Sequence, residues 1–122
     1  MSRSYMIKME VKGIEDVVNK LSKMNMIVQT ETKIALKEAG MKIQADAKRN
    51  VLVDTGRLKN SITTEIWNNG YTVTVGTNVK YAPYVEYGTM KWSGKPFLRP
   101  AYKDNTENIQ KELKKILQKA CR

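Results

Sequence analysis

The sequence contains no histidine and only one cysteine, and both shortages restrict the functions it can have. Histidine is the commonest general base and the commonest neutral metal ligand, so its absence removes the usual hydrolytic and metal-binding designs. Cys121 lies next to the C-terminus and has no second cysteine with which to form an internal disulfide. We therefore interpret Cys121 as incidental and expect the fold to depend on its core alone.

Long hydrophobic runs are also missing. The apolar stretches span only a few residues, whereas a helix that crosses a bilayer needs roughly 20. Residues 1–5 lead into an alternating polar and apolar segment rather than into the continuous apolar stretch of a secretory signal. We therefore predict no membrane contact and expect the chain to be made in the cytoplasm.

Catalytic and phosphate-binding motifs are absent as well. Without histidine, only a lysine or a carboxylate could activate a nucleophile, and no residue pattern indicates such a pair. The carboxylates Asp46, Asp54, Glu65 and Glu86 are separated and show no helical ligand spacing. No glycine-rich phosphate loop is present. The prediction is a protein that is not an enzyme and has no cofactor or metal, and a toxin or nuclease-like activity is disfavoured on the same grounds.

The sequence does contain enough apolar material for one core. Of its 122 residues, 41% are hydrophobic and 28% are charged, so we predict a single globular domain over residues 1–122. The net charge of +10 is spread along the chain, with no basic run longer than two residues. We interpret it as solvated helix surfaces. A small basic nucleic-acid-binding protein is the alternative; the charge allows DNA contact, but we do not predict it.

Hydrophobic periodicity predicts the N-terminal elements. Alternating residues indicate a strand over 5–11, and apolar residues at helical spacing indicate a short helix from Ile14 to about Met24. The strongest helical pattern runs from Met26 to about Val51, and its small residues would allow close approach of a sheet or another helix. Its opposite side, predicted to face solvent, carries Lys33, Lys37, Lys42, Gln44 and Arg49.

The C-terminal half predicts a hairpin, a loop and a helix. Residues 62–67 and 71–77 alternate on either side of an Asn-Asn-Gly turn. Residues 76–100 predict a structured loop, with an additional short strand near Val85–Tyr87. A helix follows and begins either at Pro100 or near Asp104. The predicted class is α+β, with a small antiparallel sheet containing a hairpin and packed against the long helix and the C-terminal helix.

Two segments have compositions that suit protein contacts. In residues 53–62, Gly56 could bring the backbone close to a neighbour, although a compact connection between helix and hairpin is the alternative interpretation. Residues 81–101 are rich in aromatics and arginine, which carry much of the energy of protein interfaces. The candidate interface residues are Thr55, Gly56, Arg57, Leu58, Tyr81, Tyr84, Glu86, Tyr87, Trp92, Phe97 and Arg99.

The aromatic segment has two other interpretations. Tyr81, Tyr84 and Phe97 could cap the sheet of a small domain instead of contacting a partner. Aromatics interleaved with Lys80, Lys91 and Lys95 could also stack on single-stranded nucleic acid, although no recognisable motif of that kind is present.

In these two segments the sequence resembles the HK-97-like neck, or tail-completion, proteins of long-tailed phages and prophages. The likeness lies in Asp54-Thr55-Gly56-Arg57-Leu58 with Ser61-Ile62, then in Val75-Gly76, in residues 81–89 and in Pro96-Phe97-Leu98-Arg99-Pro100-Ala101. The opening strand, Gly13-Ile14-Glu15 and the long helix extend it over nearly the whole chain. Val51-Leu52-Val53 stands where the family usually has a proline, so the local turn differs from the family pattern.

The resemblance implies a virion or assembly protein that acts where the capsid portal meets the tail, with no catalytic residues to carry over. We expect it to self-associate into a symmetric ring, sixfold in our prediction, and to join neck, head-closure or tail proteins through the aromatic segment. Its expected location is the virion, after assembly in the cytoplasm of the bacterial host.

Overall fold

A three-stranded antiparallel sheet organises the chain in the computed structural model, which describes residues 5–10, 13–51 and 56–121. Its strands are β1 (Ile7–Glu10), β2 (Thr63–Trp67) and β3 (Thr72–Thr77), in the order β1-β3-β2. The predicted first strand and the hairpin are confirmed, although Val11 lies outside the described residues. The turn between β2 and β3 can form because Asn68, Asn69 and Gly70 adopt φ values of 52°, 58° and 97°. Asparagine and glycine tolerate this region of positive φ best.

The long helix α2 (Met26–Asn50) lies across one face of this sheet, after the short helix α1 (Glu15–Ser22). The close approach depends on Gly40, because a Cβ there would lie 2.4 Å from Val73 Cγ1 and 2.7 Å from Thr64 Cγ2. Thr64 Oγ1 is also within hydrogen-bond reach of Gly40 O (3.1 Å) and Gln44 Oε1 (2.7 Å). The predicted role of the small residues in this helix is thus confirmed at Gly40.

The prediction for the other side of α2 was wrong at two positions. Lys37, Lys42 and Arg49 are exposed, but Lys33 and Gln44 are half-buried. Gln44 contacts the sheet through Thr64, and the Lys33 ammonium lies 5.2 Å from the centre of the Tyr71 ring. A helix wedged between a sheet and a second helix buries a wider arc of its surface than one apolar stripe indicates.

The second helix that covers α2 is α5 (Leu98–Ala120). Asn105 is almost fully buried between them, and its Nδ2 donates to Asp46 Oδ2 at 2.8 Å and to Ala101 O at 2.6 Å. Leu98, Ile109 and Leu113 complete the contact with the core. This helix begins at Leu98, so Pro100 lies in its first turn as predicted, and the alternative start near Asp104 was wrong.

The segment between β3 and α5 differs from the prediction. Residues Val85–Tyr87 belong to a helix, α4 (Ala82–Tyr87), so the short strand predicted there was wrong. Pro83 occupies the first turn of α4, where its missing N–H costs nothing. A small two-stranded hairpin follows, β4 (Gly88–Thr89) and β5 (Trp92–Ser93).

A further short helix, α3 (Gly56–Ser61), leads from α2 to β2. The fold is therefore α+β, with a small antiparallel sheet, a long helix and a C-terminal helix, as predicted. Among the described residues, no helix is long and apolar enough to cross a membrane.

Candidate protein interface

The carboxylate of Glu86 connects α4 to the start of α5. The side chain is completely buried, with 0% of its surface exposed. Its Oε1 accepts hydrogen bonds from Phe97 N (3.0 Å) and Leu98 N (2.8 Å), and its Oε2 accepts one from Arg99 N (3.1 Å). These are backbone N–H groups of the first turn of α5, which have no partner within the helix. Glu86 therefore caps α5 from a distant position in the sequence.

Arg99 also binds Glu86, from the side that faces solvent. Its Nε donates to Glu86 Oε2 at 3.0 Å, and its Nη2 donates to Glu86 O at 3.1 Å. The guanidinium also lies 4.9 Å from the centre of the Tyr87 ring, a distance at which a cation is attracted to the face of an aromatic ring. Arg99 thus neutralises the buried carboxylate and holds Tyr87 in place.

Backbone packing fixes the hairpin that follows α4. Gly88 has φ of 85°, and a Cβ there would lie 2.4 Å from the backbone N of Gly94. Lys95 N donates to Val85 O at 2.7 Å, so the chain beyond the hairpin is tied back to α4. The segment predicted as a loop is therefore a helix and a hairpin held together by backbone contacts.

Helix α4 and the β4–β5 hairpin carry a set of large apolar side chains that are exposed. Tyr84 and Tyr87 are 59% and 56% exposed, Trp92 is 43% exposed, and Met90 at the hairpin tip is fully exposed. We call these four residues the aromatic surface. Sequence reasoning missed Met90, which is far from any helical or alternating apolar pattern.

Three of the other predicted residues of this segment, Tyr81, Glu86 and Phe97, face inward, whereas Arg99 is exposed. Phe97 is completely buried and belongs to the core, and Tyr81 is half-buried against it. Glu86 is buried as well. The capping alternative therefore fits Phe97 and Tyr81, whereas Tyr84 points to solvent. Phe97 and Glu86 support the aromatic surface from beneath and do not present their side chains to a partner.

The other segment predicted to suit protein contacts, residues 53–62, also contains both buried and exposed residues. Leu58 is completely buried in the core, whereas Gly56 and Arg57 are exposed. A Cβ on Gly56 would meet no atom within 4 Å, so nothing among the described residues explains glycine at this position. Thr55 lies outside the described residues, as does Asp54 of the same motif.

A chain of hydroxyl groups links the two motif segments. The Ser61 hydroxyl, at the end of α3, forms a short hydrogen bond with the Thr77 hydroxyl at the end of β3. Thr77 Oγ1 also accepts a hydrogen bond from Val79 N at 3.1 Å, just before α4. The structure thus ties together two segments that are separated in the sequence.

Within the described part of the chain, no group of three acidic or cysteine side chains is arranged to hold a metal ion. The oxygens of the buried Glu86 carboxylate already accept hydrogen bonds from backbone N–H groups and from Arg99. The arrangement is suited to contact with another macromolecule through exposed aromatic side chains.

Comparison with known families identifies one match. A family model described as "Bacteriophage HK97-gp10, putative tail-component" matches residues 15–88, which is more than half of the chain. The match covers the helices α1 to α4 and the sheet strands β2 and β3. No curated protein and no solved structure matches significantly.

Proposed function

The chain belongs to the family of bacteriophage HK97-gp10-like tail components, and on this premise we propose that it acts where the head of a long-tailed phage joins the tail. It is a structural phage protein. The finer role that we propose is to complete the neck or the upper end of the tail by contacts with itself and with neighbouring virion proteins. Assembly would take place in the host cytoplasm.

The aromatic surface is the observation that supports a role in protein contact. Tyrosine and tryptophan bury large areas at low cost in side-chain entropy, and they are enriched among residues that dominate binding energy. Here Tyr87 is held by Arg99, and the backbone beneath is fixed by Glu86. A contact surface that is ordered before binding loses less entropy when a partner arrives.

The proposed assembly is a ring, sixfold in our expectation, that joins head-closure or tail proteins. A closed ring uses head-to-tail contacts, so each subunit needs two different surfaces. The aromatic surface would be one of them. The exposed Gly56 and Arg57 of α3 belong to a second exposed region.

Deleting the gene from the phage or prophage that carries it tests this proposal. We expect filled heads and tails that fail to join, or tails of abnormal length, when lysates are viewed by electron microscopy. Expression of the intact chain in trans should restore infectious particles. Fully infectious particles from the deleted phage would refute the proposed role.

Complementation with surface variants tests the part played by the aromatic side chains. Replacing Tyr84, Tyr87 and Trp92 together with alanine should abolish joining, because the apolar contact area is lost. The matched control replaces the same three residues with phenylalanine, which retains most of that area and should support assembly. Equal infectivity of the alanine and phenylalanine variants would exclude this surface as the contact.

A further inference from the structure

The solvent-facing side of α2 carries large apolar residues that the fold does not use. Ile27, Ile34 and Met41 are 72%, 52% and 50% exposed. They are spaced seven residues apart, which is close to two helical turns, so they lie along one line of the helix. We call these three residues the α2 stripe.

The fold of the single chain does not account for the α2 stripe. The buried residues of α2, among them Leu36, Ile43 and Ala47, lie on the opposite side, where the sheet and α5 cover the helix. A helix that serves only its own core places polar residues on the outer side. Large apolar side chains exposed along one line of a helix are instead typical of a protein contact site.

The α2 stripe runs from the first turn of α2 to Met41, and the aromatic surface lies near the C-terminal end of the same helix. Asn50, the last residue of α2, donates through Nδ2 to Phe97 O at 3.2 Å, and Phe97 follows the hairpin that carries Trp92. Ile27 is near the first residue of α2. The nearest stripe residue, Met41, is nine residues before Asn50, or about 14 Å along the helix at about 1.5 Å per residue, so the two surfaces are distinct.

One side of the α2 stripe carries glutamates and the aromatic surface is flanked by lysines, whereas Lys37 lies along the other side of the stripe and Lys42 follows Met41. Glu31 and Glu38 follow Ile27 and Ile34 by four residues and therefore lie along one side of the α2 stripe. Lys91 and Lys95 lie within and just after the hairpin of the aromatic surface. None of these four charges forms an ion pair with another described residue.

This arrangement disfavours contacts between identical surfaces. Two stripes laid antiparallel about a two-fold axis would bring Glu31 of one copy towards Glu38 of the other, and two aromatic surfaces would bring lysines together. Like charges placed opposite each other in an interface cost several kcal/mol. When the side of the stripe that carries Glu31 and Glu38 faces the aromatic surface of the next copy, these carboxylates come close to Lys91 and Lys95, which have the opposite charge.

We propose that the α2 stripe of each subunit receives the aromatic surface of a neighbouring copy of this chain. This inference rests on the proposed self-association and names the two surfaces that meet in it. Because the contact joins two different surfaces of the subunit, it can repeat from copy to copy until a ring closes.

Charge reversal in phage particles tests the pairing. We expect E31K/E38K and K91E/K95E each to reduce infectious particles in a complemented deletion phage by about tenfold or more, because each places like charges in the contact. Combining all four substitutions should restore the titre. The control combines E31K/E38K with K114E/K115E, which gives the same net charge through exposed lysines of α5 and should not restore it.

Crosslinking gives an independent readout of the same contact. In a Cys121→Ser background, I34C/M90C should yield a ladder of crosslinked subunits in purified particles treated with a short bis-maleimide, whereas I34C or M90C alone should stay monomeric. The matched control K114C/M90C should not form a ladder.

Two outcomes would overturn the inference. One is the absence of both a ladder from I34C/M90C and a rescue by the four-charge variant in particles that contain the chain. The other is a dimer from I34C alone, which would show stripe against stripe. Neither outcome would affect the proposed role at the head-tail junction, which fails only if particles without the gene are fully infectious.

Discussion

At the scale of single residues, Glu86 has the largest structural effect that the sequence did not indicate. Its carboxylate receives three backbone N–H groups and the Arg99 guanidinium while fully buried. Hydrogen bonds to a charged group are stronger than those between neutral groups. Removing one partner of such a cluster leaves the others buried without compensation. Glu86 therefore determines both the start of α5 and the position of the aromatic surface.

We predict that Glu86→Gln lowers the free energy of unfolding by about 2–3 kcal/mol, because the amide lacks the charge and one of the two acceptor oxygens that these donors need. Urea denaturation of the purified protein measures this change. The control is Glu107→Gln, which breaks the exposed i,i+4 ion pair with Lys111 and should change stability by less than about 0.5 kcal/mol. Equal effects of the two substitutions would contradict the assigned role of Glu86.

At the scale of elements, the position of α2 on the sheet is set by Gly40. Glycine in a helix interior is about 1 kcal/mol less favourable than alanine, so local propensity alone would favour a substitution. The side chains opposite are Val73 in the central strand and Thr64 in β2. Neither is a flexible chain end that could move aside, so packing outweighs propensity here.

We predict that Gly40→Ala destabilises the protein by about 1–2 kcal/mol despite the gain in helix propensity, because the new methyl group overpacks the contact between helix and sheet. Thermal or urea unfolding measures the change. Gly56→Ala is the matched control, since a Cβ there meets nothing within 4 Å, and it should leave the unfolding midpoint of the isolated protein unchanged or raised. A more stable Gly40→Ala variant would show that α2 can move away from the sheet.

At the scale of the whole molecule, two apolar surfaces remain uncovered after the core has formed. The core joins α2, the sheet and α5 through residues such as Leu36, Val75 and Leu113. It does not involve the α2 stripe or the aromatic surface. The net charge of +10 is distributed over exposed helix positions. Among the described residues, seven of the ten exposed large apolar side chains belong to the two surfaces where we propose that copies meet, and the other three are Met6, Met26 and Ile66.

We predict that Ile34→Ser leaves the stability of the isolated chain within about 0.5 kcal/mol of the original, because the side chain is half exposed and outside the core. The same variant should fail to complement the deletion phage. Ile43→Ser, one of the most buried positions of α2, should cost about 3 kcal/mol or more. Loss of stability in Ile34→Ser comparable to that in Ile43→Ser would place Ile34 in the core and remove the stripe as a docking surface.

The elements with strong local signals could be predicted from the sequence. The alternation in 5–11, the Asn-Asn-Gly turn and the long apolar pattern of α2 each depend on neighbours in the chain, and each appears in the structure. The resemblance in residues 54–101 predicted the family. Predictions failed where a distant partner decided the outcome, as at Val85–Tyr87, which became helical, and at Gln44, which contacts Thr64.

The sequence by itself determined β1, α1, α2, the β2–β3 hairpin and the C-terminal helix, and it showed that aromatics and arginine gather between β3 and α5, because these are properties of composition and spacing. Only the tertiary structure decided which of those side chains are available to a partner. Phe97 is buried, Tyr84 and Met90 are exposed, and Ile34 lies outside the core although its residue type favours burial. Burial depends on which surfaces remain after sheet and helices have packed, and that is a property of the assembled fold.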